Sequence, residues 1–100
     1  MSTPTILSCK LSTPALQLRK ATVIAKLRTV LSGKAELSNG FAYTFRGSDE
    51  ILDQLNEFIK TERICCDFFS FQLSIEGEKA ILTLTGPEGV KEFLTNEIAL

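Results

Sequence analysis

Apolar residues recur at helical spacing in the first third of the chain. This apolar stripe consists of Leu16, Val23, Ile24, Leu27, Val30 and Leu31. Thr13 and Pro14 precede it as an N-cap and a proline at the first helical position, and Gly33 follows it as a stop signal. The pattern therefore predicts a helix from about Thr13 to Ser32, preceded by a lead-in segment over residues 1–12.

Strict alternation of apolar and polar residues predicts strands in two regions. Residues 41–46 alternate directly after the turn signal Asn39-Gly40, and Leu37 fits a short strand before that turn. Residues 69–76 alternate in the same way. Because a tight connection follows, we expect residues 80–85 to return antiparallel as a hairpin.

Two further helices complete the predicted elements. Ser48 caps the first of them, two carboxylates follow in its first turn, and its apolar stripe extends to about Cys65. The last helix starts at Gly86-Pro87-Glu88. The predicted order is α-β-α-β-β-α. It indicates a two-layer α+β fold, a single domain over residues 13–100, with the helices on one face of a small antiparallel sheet.

Two charged residues fall on the apolar faces of the predicted helices. On a helical wheel, Lys20 lies between Leu16 and Ile24, and Glu62 lies one turn after Phe58. A charge on a buried face is costly unless it is paired or reaches solvent. Three interpretations stay open: each side chain extends to the surface, the two form a structural ion pair, or they line a functional pocket that binds a ligand.

The cysteines carry the most distinctive candidate chemistry. Cys65 and Cys66 follow Glu62 at i+3 and i+4, and Cys9 precedes the first helix by a few residues. Three thiolates without histidine favour a soft, three-coordinate metal or metalloid ion over zinc. Glu62 or Asp67 is then a fourth ligand or a proton acceptor. The alternative is that the paired cysteines are small core residues.

Composition narrows the classes of function. The chain has no histidine, which excludes a Ser-His-Asp triad, a Cys-His dyad and a Cys/His zinc site. No apolar run is long enough to span a membrane, and the start lacks a signal-peptide layout. Three cysteines, two of them adjacent, are not a secreted disulfide framework. These features predict reduced thiols and a cytoplasmic location.

The charge distribution is uneven. Up to Ala35 there are six basic residues and no acidic one, whereas the remainder has five basic and twelve acidic residues. A basic start is also typical of a transit peptide or of a nucleic-acid partner. Since arginine and aromatic residues do not alternate as they do in single-strand binders, we expect no nucleic-acid ligand. A basic helix packed beside acidic ones is the simpler interpretation.

Two segments resemble a family of small, uncharacterised bacterial proteins. Residues 62–71 read E-R-I-C-C-D-F-F-S-F, and residues 85–93 read T-G-P-E-G-V-K-E-F. They are similar to the family's E-R-x-C-C-x-F-x-x-F and T-G-P-E-G-x-K-E-F segments. Family members often carry an N-terminal cysteine, which matches Cys9, and many have proline where this chain has Asp67. The resemblance implies a bacterial cytoplasmic protein but implies no activity.

Three functional hypotheses follow. The first is a non-enzymatic thiol-based binding domain for a soft metal or metalloid ion, with Cys9, Cys65 and Cys66 as ligands and Lys20 and Glu62 beside them. The second is an interaction module, a homodimer formed through the sheet or a phenylalanine-rich surface. The third is a cysteine-dependent enzyme, for which the sequence shows no catalytic signature.

Overall fold

A computed structural model describes residues 13–65, 68–98 and 100. The predicted lead-in over residues 1–12 lies outside the described residues. The elements, in chain order, are α1 (Pro14–Val30), β1 (Leu31–Leu37), β2 (Gly40–Arg46), α2 (Asp49–Cys65), β3 (Ser70–Glu76), β4 (Lys79–Thr85) and α3 (Val90–Phe93), followed by a π-helical turn (Leu94–Ile98). The α+β class is confirmed, as are α2 and the β3–β4 hairpin.

The predicted order of elements was wrong, because it lacked one strand between the first helix and the strand at residues 41–46. The observed order is α-β-β-α-β-β-α, because α1 ends at Val30 and β1 begins at Leu31. Gly33 therefore does not end the helix. It lies inside β1, next to a shift in register between Leu31 and Gly33. Apolar or small residues alternate with polar ones along the segment, but glycine and alanine make this a weak strand signal, so pairing with β2 is what fixes the strand conformation.

The four strands form one antiparallel sheet in the order β1-β2-β4-β3. The central pair runs in register from Gly40 opposite Thr85 to Arg46 opposite Lys79. Gly40 is required at this crossing, because a Cβ atom there would collide with the carbonyl oxygen of Leu84. The turn itself consists of Ser38 and Asn39, and Gly40 is the first residue of β2, so the glycine of the turn signal allows close backbone approach rather than a positive φ.

One hydrophobic cluster contains residues of the helices and of the sheet. Along β2 and β4, alternate side chains are buried, among them Tyr43, Phe45 and Leu82. The helical segments contribute Val23, Ile24, Leu27, Leu55, Phe58, Val90, Phe93, Leu94 and Ile98 to the same cluster. The intervening β2 and β4 residues, such as Thr44 and Thr83, are only partly buried. The sheet therefore buries one face more completely than the other.

The segment after β4 is tied to β1. Lys34 donates a hydrogen bond of 2.8 Å to the main-chain oxygen of Leu100, and Lys91 lies 2.9 Å from the Glu36 carboxylate. Arg28 reaches the carbonyl oxygen of Ile98 at 3.4 Å. The ammonium group of Lys34 also lies 4.3 Å from the centre of the Phe41 ring. These contacts fix the C-terminal segment over the first hairpin.

The phenylalanines belong to the core and do not form an exposed aromatic surface. All seven are buried or partly buried. Phe68, Phe69 and Phe93 pack with ring centres 4.7 to 5.8 Å apart. A homodimer formed through a phenylalanine-rich surface is therefore not supported by the observed burial.

None of the helices in the described ranges is both long and apolar enough to cross a membrane.

Candidate functional site

Lys20 and Glu62 form an ion pair between α1 and α2. The Lys20 ammonium nitrogen lies 3.2 Å from a Glu62 carboxylate oxygen. The side chain of Glu62 is 1% exposed and that of Lys20 is 14% exposed. Of the three interpretations of these charges, extension of Glu62 to the surface is excluded. The carboxylate stays inside and the ammonium group lies beside it.

The positions of both residues follow from helix periodicity. Glu62 comes one turn after Phe58, which is buried in the core, so the same face of α2 directs the carboxylate inward. Lys20 precedes the buried residues Val23, Ile24 and Leu27 on α1. Because burial of an unpaired charge is costly, the packing of these two faces favours the pairing of opposite charges.

A second ion pair links the same helices at the surface. Arg19 contacts the carboxylate of Glu57, and Lys60 lies 3.5 Å from that carboxylate. The side chains of Arg19 and Glu57 are 49% and 34% exposed, so solvent screens their attraction. Adjacent positions on α1 therefore carry one buried and one exposed pair, which makes the exposed pair a natural control.

Cys65 is the last residue of the helix that carries Glu62. Since α2 extends to Cys65, Glu62 and Cys65 stand at i and i+3 of one helix, as predicted. Cys9 and Cys66 lie outside the described residues. Within the described part of the chain, no three histidine, cysteine, aspartate or glutamate residues group as metal ligands do. The proposed trithiolate depends on residues beyond that part, so it stays a prediction.

A shallow pocket of about 150 Å³ lies between α1 and α2, where its lining includes Arg19 and Lys60 of the exposed charge cluster but neither Lys20 nor Glu62. Its lining comprises Leu16, Arg19, Lys60, Thr61, Arg63 and Ile64. Three of these side chains are cationic, and Arg63 is exposed in the last turn of α2. The end of α2 thus has positive charge nearby, which counters the unfavourable effect of a helix C-terminus on a thiolate.

Tyr43 is a polar group that the sequence did not single out. Its side chain is fully buried, and its hydroxyl has no hydrogen-bond partner among the described residues. Burial raises the pKa of Tyr43 well above its ordinary value, because the charged form is poorly solvated there. Alternation along β2 indicated that this position is buried, but no sequence signal indicated that the hydroxyl lacks a partner.

Comparison with known proteins gives no family and no named relative. No family model, curated protein or solved structure matches this chain.

Proposed function

We propose that this domain is a non-enzymatic, thiol-based binding site for a soft metal or metalloid ion. The ligands are Cys9, Cys65 and Cys66, and the domain works in the cytoplasm, where thiols stay reduced. The observation that supports this proposal best is the buried Lys20–Glu62 pair, which lies one helical turn before the adjacent cysteines.

The ion pair places a buried carboxylate one helical turn before Cys65, as a further ligand or a proton acceptor. A thiolate is the metal-binding form of cysteine, and nearby cations stabilise it. A helix C-terminus has the opposite effect. Lys20 adds no net positive charge at this end of α2, because the Glu62 carboxylate beside it balances the ammonium group. The exposed Arg63 is the cation in the last turn of α2 that favours a thiolate there.

The donor set determines the class of ion. With no histidine in the chain, nitrogen ligands of the imidazole type are excluded, and sulfur is the soft donor that is present three times besides a single methionine. Soft thiolate sites select soft ions, and three sulfurs suit As(III) or Hg(II) better than tetrahedral zinc. We assign no catalytic step to this site.

The test is ion-dependent stabilisation of the reduced protein. Thermal unfolding is followed with and without one equivalent of As(III), using a phosphine reductant because a dithiol reductant itself binds arsenic. The midpoint rises if the ion binds only the folded state. We expect this rise for the wild type and its loss in Cys9→Ser, Cys65→Ser and Cys66→Ser. The rise should grow with pH, because the thiols lose protons on binding.

Asp53→Asn is the matched control, since it changes an exposed residue near the other end of α2 and leaves every sulfur in place. It should retain most of the shift. An unchanged midpoint for the wild type would reject the proposal. A shift that persists in both Cys65→Ser and Cys66→Ser would also reject it, since the ion would then bind elsewhere. If Cys9→Ser were the only cysteine variant that kept the shift, the site would consist of two thiols, Cys65 and Cys66.

A further inference from the structure

The two edges of the sheet differ in how they are protected. Among the described strands, β1 and β3 are the outer ones. An outer strand presents unpaired backbone groups that can pair with another chain, and proteins usually block such pairing with charges, bulges, proline or a covering segment.

The β1 edge is blocked in several of these ways. Its register shifts between Leu31 and Gly33, which interrupts a regular ladder. Lys34 and Glu36 stand opposite core residues of β2, so charged side chains occupy the rim of the buried face. Both are bonded to the C-terminal segment, Lys34 at the main-chain oxygen of Leu100 and Glu36 at the Lys91 ammonium group.

Among the residues that the structure describes, the β3 edge shows none of these features. Its register with β4 is unbroken over seven residues, from Ser70 opposite Thr85 to Glu76 opposite Lys79. It has no proline, and its only charge is at Glu76, the last position. This strand is therefore regular, nearly neutral and suited to extend the sheet by one more strand.

The apolar side chains of β3 are less completely buried than those of β4. Phe71, Leu73 and Ile75 stand opposite residues of β4 that are fully buried. Opposed residues of an antiparallel pair share a face, so these three side chains continue the core layer. Yet Phe71 and Leu73 are only partly buried, and Ile75 is 54% exposed. Within the described part of the chain, the apolar face of the sheet therefore continues onto β3, but its side chains there are not fully buried.

We propose that β3 pairs antiparallel with β3 of a second copy of this chain, about a two-fold axis at Leu73. This is the register that pairs the whole strand. It places Leu73 opposite the partner's Leu73 and Phe71 opposite the partner's Ile75, so apolar side chains meet on the core side. On the other side, Gln72 lies opposite the partner's Ser74.

The strand is self-complementary in this register. Glu76 lies opposite the partner's Ser70, so no like charges oppose each other. Cross-strand apolar pairs on one face and hydrogen-bonding pairs on the other each favour the arrangement. The two four-stranded sheets then form one eight-stranded sheet, whose outer strands are the two protected β1 strands. In a two-fold contact both chains use the same surface, so a single contact pairs the β3 edge of each chain.

The test compares two double variants by sedimentation velocity on the full chain, reduced and free of metal so that neither disulfides nor a shared ion link the copies. Gln72→Lys with Ser74→Lys sets like charges opposite each other at two places in the dimer. Gln72→Lys with Ser74→Glu sets opposite charges there. Both variants change the same exposed or partly exposed positions of β3, so their effects within one chain are matched.

We expect the wild type and the lysine–glutamate variant to be dimers and the double-lysine variant to be a monomer that still unfolds cooperatively. Ile75→Lys should also yield a monomer, whereas Leu18→Lys, a change at a 69% exposed residue of α1, should not. A monomeric wild type at all concentrations would overturn the proposal. A dimer that the double-lysine change leaves intact would overturn it too, because the copies would then meet elsewhere.

Discussion

Lys20 and Arg19 are neighbours on α1, yet their ion pairs with α2 lie in different environments. The Lys20–Glu62 pair is buried, with the carboxylate 1% exposed, whereas the side chains of Arg19 and Glu57 are 49% and 34% exposed. The same two helices therefore provide a comparison of buried and exposed charge pairing at nearly the same place.

We expect Glu62→Gln and Lys20→Met each to destabilise the fold by about 3 kcal/mol, because each leaves a charge without its main partner. The double variant should cost less than the sum of the two. The free energy of unfolding, measured by urea denaturation over a double-mutant cycle, tests this expectation. Arg19→Met and Glu57→Gln serve as controls and should each change stability by less than about 1 kcal/mol. Strict additivity at Lys20 and Glu62 would contradict the observed pairing.

The buried hydroxyl of Tyr43 gives a second prediction. Tyr43→Phe removes a polar group that has no partner among the described residues, so we expect stability to stay within about 1 kcal/mol of wild type or to rise. Urea denaturation measures the change. A loss of several kcal/mol would show that the hydroxyl makes a hydrogen bond in solution. Phe45→Leu, at another fully buried β2 position, provides a reference for an ordinary change in packing.

Tyr43 also predicts how stability depends on pH. Burial raises its pKa in the folded state, so the folded protein favours the neutral phenol. The resulting stabilisation is complete below the unfolded pKa of about 10 and is lost as pH rises above it. Because Tyr43 is the only tyrosine, the absorbance of tyrosinate reports on it alone. We expect this absorbance to appear together with unfolding. A titration with the ordinary pKa in protein that stays folded would contradict the observed burial.

Two glycines distinguish steric crowding from backbone strain. Gly40→Ala places a methyl group against the Leu84 carbonyl in the middle of the sheet, so we expect a loss of about 3 kcal/mol or more. Gly77 has φ of 62° in the β3–β4 turn, with no atom near the added methyl group. Gly77→Ala should therefore cost only about 1 to 2 kcal/mol. Thermal and urea unfolding of both variants check the order, and equal losses would contradict the predicted crowding at Gly40.

The elements that could be predicted from the sequence are those whose own pattern is strong. The stripe of α2 and the alternation of β3 indicated both elements, and the short connection between β3 and β4 indicated their pairing. The β1 strand could not be predicted in the same way, since the non-polar positions of its alternation include Gly33 and Ala35, which are weak strand formers. Its conformation depends on β2, which supplies the partner strand.

The candidate site could be predicted to a similar extent. The helical wheel placed Lys20 and Glu62 on apolar faces, and both indeed lie at the packed side of their helices. A wheel gives the direction of a side chain around its own axis but not the distance between two axes. The choice between extension to solvent and an ion pair therefore required the packing of α1 against α2.

The order of synthesis has a consequence for the C-terminal segment. Leu94, Ile98 and Leu100 are buried, and the last two supply main-chain oxygens to Arg28 and Lys34. This segment follows all four strands in the chain, so it is synthesised after them. Until residues 94–100 emerge, part of the core beside the first hairpin is open to solvent, and apolar surface of this kind favours aggregation. The nascent domain therefore cannot complete its core until this segment packs against the first hairpin.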